Sequence, residues 1–510
     1  MAPRPSLASL DRGDVLLLAM GALAVSAFLV AERRIAGAPG LPLDDGWIHL
    51  QLARNLATGG GFGINRGEVV AASTAPLWTV ALAGLLAIGV PGLAAAKALG
   101  FACWAATGLV TRRLAGAVGL GPGLAWGAGL AAVGLSRLVW GALSGMEVPL
   151  ATLCVAAGAW AVARDWPMLG TVGLGLATLA RPEAGLLVGL HVLGAAAWRE
   201  ALRRSAVAVA VVAPAVVFNL AVGGRLVPAS AAAKVEGGLL GGAEGLSDAW
   251  AVAGRQAMAF LGEWGGALLR DHLALPALVA VGLVAARAGR LRWLVTALLL
   301  HPVAAALVAP YRGPGFQSGR YSSHLLPLAV VVAFVGLDRL LGWRSASPWR
   351  IAVCALLLVG LAWRLLAGAE AYAWGVQNIN AMQVELGRWV AARTPPDTLI
   401  ALNDVGALAY FGERRVIDLV GLASPEILPY RRQGPTALLH YLERRCPEYL
   451  VIFPAWFPEL VARADLFHPV TGVTLTHNVV AGAATMTVYE TAWHRSRPLP
   501  ARACPASPDG

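Results

Sequence analysis

The chain has 510 residues, of which 57% are hydrophobic and only 14% charged. Soluble globular proteins carry about 25% charged residues, so this composition excludes a cytosolic enzyme, a disordered scaffold and a collagen-like fibre, and marks a polytopic α-helical membrane protein. A nucleic-acid binder would gather the net charge of +11 into one basic stripe; here the arginines fall in short clusters between apolar runs, the positive-inside pattern, and no nucleic-acid partner is expected.

A spanning helix needs about 20 mostly apolar residues. Eleven runs are candidates: 15–35, 94–114, 122–141, 146–164, 168–181, 183–198, 205–223, 272–289, 291–310, 323–342 and 350–368. The first is too long, and too charged at its exit, for a cleaved signal peptide. The fifth and sixth share the break Arg181-Pro182-Glu183 and read as a tight hairpin. A cytoplasmic N-terminus puts Arg112, Arg113, Arg164 and three later arginine groups in cytoplasmic loops, with Arg33 and Arg34 as exceptions. About eleven transmembrane helices, an extracytoplasmic C-terminus and a bacterial inner-membrane location follow as expectations. The apolar segment 76–90 is too short to span and would put Arg112 and Arg113 outside, so it reads as a juxtamembrane or re-entrant helix with Trp78 as interfacial anchor.

The transmembrane module is therefore expected over 1–370, with outer loops at 37–93 and 224–271; the second loop carries an amphipathic helix near 247–262. From about residue 377 charges return and apolar runs shorten. Helices at 380–393, 435–445 and 457–464 alternate with strands at 398–402, 416–419, 449–453 and 486–490, predicting a small α/β domain over 377–495. The Pro- and Arg-rich tail 496–510 has a disordered composition. Cys103, Cys154 and Cys354 read as core residues, while the spacing of Cys446 and Cys504 does not decide whether they pair.

The stretch 44–78 is the most informative. Asp44 and Asp45 follow the first span on its outer side. Ile48, Leu52 and Leu56 then recur at helical spacing, with His49, Arg54 and Asn55 on other faces, so a short amphipathic helix ends at Gly59-Gly60-Gly61. An acidic pair here caps that helix or serves as a general base at a membrane surface. The glycine cluster lacks the strand–loop–helix context and the Lys-Ser/Thr of a P-loop.

In order, DD-x-x-I-x-L-x-x-A-R-N-L-A-x-G-x-G-F-x-x-N-x-G-E and S-T-x-P-L-W resemble the first outer loop of GT-C membrane glycosyltransferases, in particular the bacterial arabinofuranosyltransferase-like branch. Ser144-Gly145-Met146-Glu147, Leu179-Ala180-Arg181-Pro182-Glu183, Gly224-Arg225-Leu226-Val227-Pro228 with Ala233-Lys234-Val235, and Gly319-Arg320-Tyr321 are similar pieces in the same order. Asn403-Asp404-Val405-Gly406-Ala407 and Val416-Ile417-Asp418-Leu419 look like the outer domain of such proteins. The chain departs from the narrower pattern at Gly46, where an aromatic residue is expected, and at Ala229-Ser230 after Pro228.

The resemblance implies inverting transfer of a sugar from a polyprenyl-phosphate donor to an envelope glycan, lipid or protein acceptor on the outer face. A lipid phosphate is already a good leaving group, so one carboxylate acting as base suffices. By that analogy Asp44 is the base and Asp45 supports it. Lys234, Arg320 and Arg181, with His324 and Arg312 as weaker candidates, would meet the leaving phosphate. Glu147, His49 and Arg54 are candidates for contact with substrate or a metal, and a divalent cation could be held if Asp44, Asp45 and Glu147 converge. Each cation has the plainer reading of an interfacial side chain; Arg181 could simply pair with Glu183. The alternatives are a multi-pass transporter or lipid flippase, against which the placement of charges at helix ends argues, and a non-catalytic scaffold presenting the C-terminal domain.

Overall fold

The structure is a computed structural model describing residues 10–229, 231, 246–285, 291–308, 316–342 and 348–495. Lys234, Arg312, Cys504 and the tail 496–510 lie outside the described residues.

Each apolar run becomes a helix, because in hydrocarbon the backbone must satisfy its hydrogen bonds within the segment. Helix α1 is Arg12–Ile35, and its start is fixed by a capping box in which the Asp11 side chain accepts from Asp14 N and the Asp14 side chain from Asp11 N. Arg112 and Arg113, near the end of α4 (Gly92–Ala117), pair with Asp14 at 2.6 and 3.3 Å and tie the two helix ends together. Between them lie α2 (Asp44–Ala57) and α3 (Pro76–Ala87). Next come α5 (Pro122–Gly134) and α6 (Ser136–Leu143), bent by 52° at Leu135. Helices α7 (Val148–Ala163), α8 (Pro167–Ala180), α9 (Gly185–Leu193) and α10 (Trp198–Gly223) follow. Then come α11 (Leu246–Asp271), α12 (Leu275–Ala285), α13 (Arg292–Val308), α14 (Leu326–Leu341) and α15 (Pro348–Ile379).

Among the described residues, five helical stretches are long and apolar enough to cross a membrane, or up to seven if each bent pair is one span. The other expected spans are shorter helices. Among the described residues of the run 272–289, the 11 residues of α12 are helical and set at 114° to the end of α11. His272 stops the preceding helix, its Nδ1 accepting from Ala274 N and its Nε2 lying 3.0 Å from the Leu357 carbonyl.

Trp78 corrects the sequence reading. It is fully buried, and its Nε1 donates to the Gly145 carbonyl at 3.0 Å. Helix α3 packs against α2 and α4 as part of the core, because Trp78, Leu82 and Ala83 are covered by Leu50, Ala95 and Ala96. An interfacial anchor would keep its ring edge at the surface.

Helix α15 does not stop at the end of its apolar run. It continues through a π-turn at Asn380–Val384 into α16 (Glu385–Arg393), so one helical rod of 46 residues, Pro348–Arg393, carries the chain into the C-terminal part. There five strands form one sheet: β1 (Leu399–Leu402), β2 (Arg415–Asp418), β3 (Tyr449–Ile452), β4 (Phe467–Thr474) and β5 (Thr485–Thr491). Their order is β2-β1-β3-β5-β4. Strand β1 is parallel to both β2 and β3, and β5 runs antiparallel to β3 and β4. Helices α17 (Gly406–Gly412) and α18 (Pro435–Arg445) connect the parallel strands. The sequence reading missed β4. Pro469 and Gly472 interrupt its pattern, and an edge strand with an irregularity between Pro469 and Thr471 is where a sheet tolerates them.

Candidate active site

Helix α2 sits under the C-terminal sheet. Its Trp47 packs between Tyr410 and Phe411, with centroids 5.1 and 4.8 Å away. Gly46 cannot be an aromatic residue here, since a Cβ would lie 2.7 Å from the Ser144 carbonyl oxygen. This contact places Asp44 at the start of α17. Asp44 Oδ2 accepts from Gly406 N and Oδ1 from Ala407 N, both at 2.7 Å. Asp44 therefore accepts from the helix-end amides of another element. Burial first, and then the neighbouring charge of Asp404, push the Asp44 carboxyl well above the usual range against those two hydrogen bonds.

Asp45 turns the other way and accepts from Arg320 Nη1 at 2.5 Å. Arg320 follows three residues in left-handed backbone, Gln317, Ser318 and Gly319, two of them not glycine. Such strain persists only where surrounding structure holds it. Arg137 supplies that hold. Its Nη1 donates to Ser322 Oγ at 2.6 Å and to the Gly319 carbonyl at 3.3 Å, while its Nε and Nη2 grip Asp271.

Behind Asp45 a buried network gathers most of the candidate residues. Arg320 and Arg181 both stack on Tyr321, at 4.9 and 4.8 Å from the ring centroid. Arg181 donates to Glu147 at 2.6 Å and also meets Glu183 at 3.4 Å. Glu147 is 3.1 Å from His49 Nε2, and His49 Nδ1 is 3.3 Å from Thr79 Oγ1.

Two candidates lie elsewhere. Arg54 bridges α2 to Glu413 at 3.0 Å and stacks over Tyr410 at 4.4 Å, so it braces the C-terminal part rather than facing the acidic pair. His324 is fully buried with its Nε2 3.1 Å from His301 Nε2. The convergence of Asp44, Asp45 and Glu147 on a metal does not occur, since each carboxylate already faces its own donors. Among the described residues no three His, Cys, Asp or Glu side chains gather to hold a metal ion.

Asp44 and Asp45 line a cavity of about 510 Å³ whose opposite wall comes from the C-terminal part. Asp404, Gln383 and Trp456 face it there, and Gln317 borders it from the strained turn. Asp404 follows β1, accepts from Gln383 Nε2 at 2.7 Å, and is pushed up to about 6 by burial, with Asp45 and Asp418 adding to the rise. The sequence reading quoted Asp404 within a motif but gave it no role. Its signal was an acidic residue two positions past a strand pattern, at the carboxyl end where open α/β sheets bind ligands.

Residues 376–495 match a family described only as a domain of unknown function, DUF8728. No curated protein matches the chain by sequence. Among solved structures the chain is similar to ArnT from Cupriavidus metallidurans bound to undecaprenyl phosphate. The TM-score is 0.57 at 13% identity, covering 93% of this chain and 98% of that one. It is also similar to the oligosaccharyltransferase AglB from Archaeoglobus fulgidus in complex with an inhibitory peptide and a dolichol-phosphate. Here the TM-score is 0.53 at 11% identity, covering 94% of this chain and 74% of that one. The chain thus shares the fold of these two proteins, and its C-terminal part is a small sheet domain.

Proposed function

We propose that the chain is an inverting glycosyltransferase. It moves a sugar from a polyprenyl-phosphate donor to a hydroxyl of an envelope glycan, lipid or protein on the outer face of the bacterial inner membrane. The observation that carries this reading is the cavity walled by Asp44 and Asp45 and backed by Arg320, within a fold shared with proteins that bind undecaprenyl phosphate and dolichol-phosphate.

Asp44 is the general base. Each of its oxygens uses one lone pair on a backbone amide and keeps another for the acceptor hydroxyl. Burial and the charge of Asp404 raise its carboxyl, which makes its carboxylate a stronger base. The acceptor oxygen attacks the anomeric carbon from the face opposite the phosphate. The new C–O bond forms as the bond to phosphate breaks, the phosphate oxygen keeps the electron pair, and the acceptor proton ends on Asp44. Arg320, exchanging Asp45 for the leaving phosphate, neutralises the developing charge, with Lys234 as a second cation from the outer loop. Arg181 is already engaged by Glu147 and holds Tyr321 and Arg320 in place.

The test is Asp44→Asn in the full chain in lipid nanodiscs. Transfer from host polyprenyl-phosphate sugars should fall by about 10² to 10⁴, while undecaprenyl phosphate still binds by native mass spectrometry. Normal transfer in a well-folded variant would remove the base assignment. Loss of lipid binding as well would mean that the acidic pair acts on structure instead.

A further inference from the structure

The catalytic reading leaves the C-terminal wall of the cavity unexplained. The parallel strands there have the order β2-β1-β3, so the chain leaves β1 towards one side of the sheet and returns as β3 on the other. At such a switch point the segments after the two strands diverge and open a crevice at their carboxyl ends. Asp404 lies just after β1 and Trp456 just after β3. The crevice of the sheet and the cavity of the membrane module are therefore one space.

Gln383 supplies an independent sign of a ligand. It is fully buried in the π-turn between α15 and α16, and it lines the cavity. Its Nε2 is used by Asp404, but its Oε1 has no partner. A buried amide oxygen left unsatisfied is costly in an empty site, and π-turns recur at functional sites. Gln317 Oε1, across the cavity, is likewise unpartnered. Trp456 is 44% exposed, its indole nitrogen donating to the Gly482 carbonyl at 3.2 Å, so its ring is fixed with a face available. A fixed aromatic face beside acceptor oxygens suits a sugar ring: the C–H face lies on the indole and the hydroxyls donate to the oxygens.

We propose that Asp404, Gln383 and Trp456 form the acceptor subsite, a pocket for a neutral sugar ring built by the C-terminal domain and facing the Asp44 base. The inference rests on the transferase reading for the word acceptor, but not for the sugar site itself. Asp404 and Gln383 receive the ring's hydroxyls, Trp456 carries its apolar face, and the hydroxyl to be glycosylated is turned towards Asp44. The C-terminal domain is then a working half of the site.

The test uses the full chain in nanodiscs and a panel of methyl glycosides of neutral pentoses and hexoses, read by saturation-transfer NMR. At least one glycoside should bind the wild type. Its affinity should fall tenfold or more in Asp404→Asn and in Trp456→Ala, while both variants bind undecaprenyl phosphate as the wild type does. No glycoside bound at millimolar concentration, or binding unchanged in both variants, would overturn the subsite. Glycoside binding that depends on both residues, in a protein that never binds undecaprenyl phosphate, would keep the sugar site and remove the transferase reading.

Discussion

Asp404→Asn should stabilise the protein while impairing it. The Asp404 carboxyl is raised from 3.8 to about 6, burial being the main cause. A folded value above the unfolded one means that the stability contribution is fully present below about 4 and is lost as pH rises through about 6. A shift of that size corresponds to about 3 kcal/mol as an upper bound, or roughly a hundredfold in a local opening equilibrium. Asparagine removes the charge and can still accept from Gln383. At pH 8 the variant should therefore protect the amides of 399–412 more strongly than the wild type, by between tenfold and a hundredfold. At pH 4 the gain should largely vanish, because both forms are then uncharged. Hydrogen exchange with mass spectrometry, corrected for intrinsic rates, reads this segment directly, and the local readout avoids treating a multi-domain membrane protein as two-state. Equal or weaker protection at pH 8, or the same gain at both pH values, would refute the account of Asp404 as a buried charge held against its own cost. A residue that costs stability and is needed for ligand binding fits the usual trade-off at working sites.

Other outcomes follow from the same geometry. Gly406→Ala places a Cβ 2.1 Å from the Asp44 carbonyl oxygen and 2.7 Å from its carboxylate; it should cost about 1 to 3 kcal/mol and abolish transfer without removing any reactive group, as exchange at 399–412 and a transfer assay would show. Glu147→Gln leaves the buried Arg181 only the longer contact to Glu183 and should destabilise by about 1 to 3 kcal/mol, measured as a lower melting temperature in nanodiscs. Arg137→Lys loses the fork that joins Asp271 to the Gly319 and Ser322 turn. It should weaken undecaprenyl phosphate binding about tenfold through Arg320, since a lysine cannot make that bidentate contact; unchanged binding would show that the turn needs no such brace.

Hydrophobic run length located the apolar helices, because each backbone group in lipid must pair locally and that demand is written residue by residue. The strands β1, β2, β3 and β5 were readable for a similar reason: short apolar runs between turns declare themselves locally. The edge strand β4 escaped notice, since its pairing partner lies elsewhere in the chain and its Pro469 and Gly472 argue against a strand until that partner is known. Trp78 looked like an interfacial anchor because a sequence shows a tryptophan in an apolar run without showing the Gly145 carbonyl that receives it.

The acidic pair was visible in the sequence as a chemical type, and so were Arg320, Arg181, Glu147 and His49. Their partners were not. That Asp44 meets Gly406 and Ala407, more than 360 positions away, follows from how α2 docks beneath the sheet. That Arg54 and His324 fall outside the cavity follows from the faces their elements present to neighbours. The strongest addition is Asp404. Local pattern places it after a strand, but its raised carboxyl and its place opposite Asp44 exist only once the sheet's crevice closes over the membrane module. Side-chain chemistry is a property of the residue; charge state and partnership belong to the packing that removes water and sets the distances.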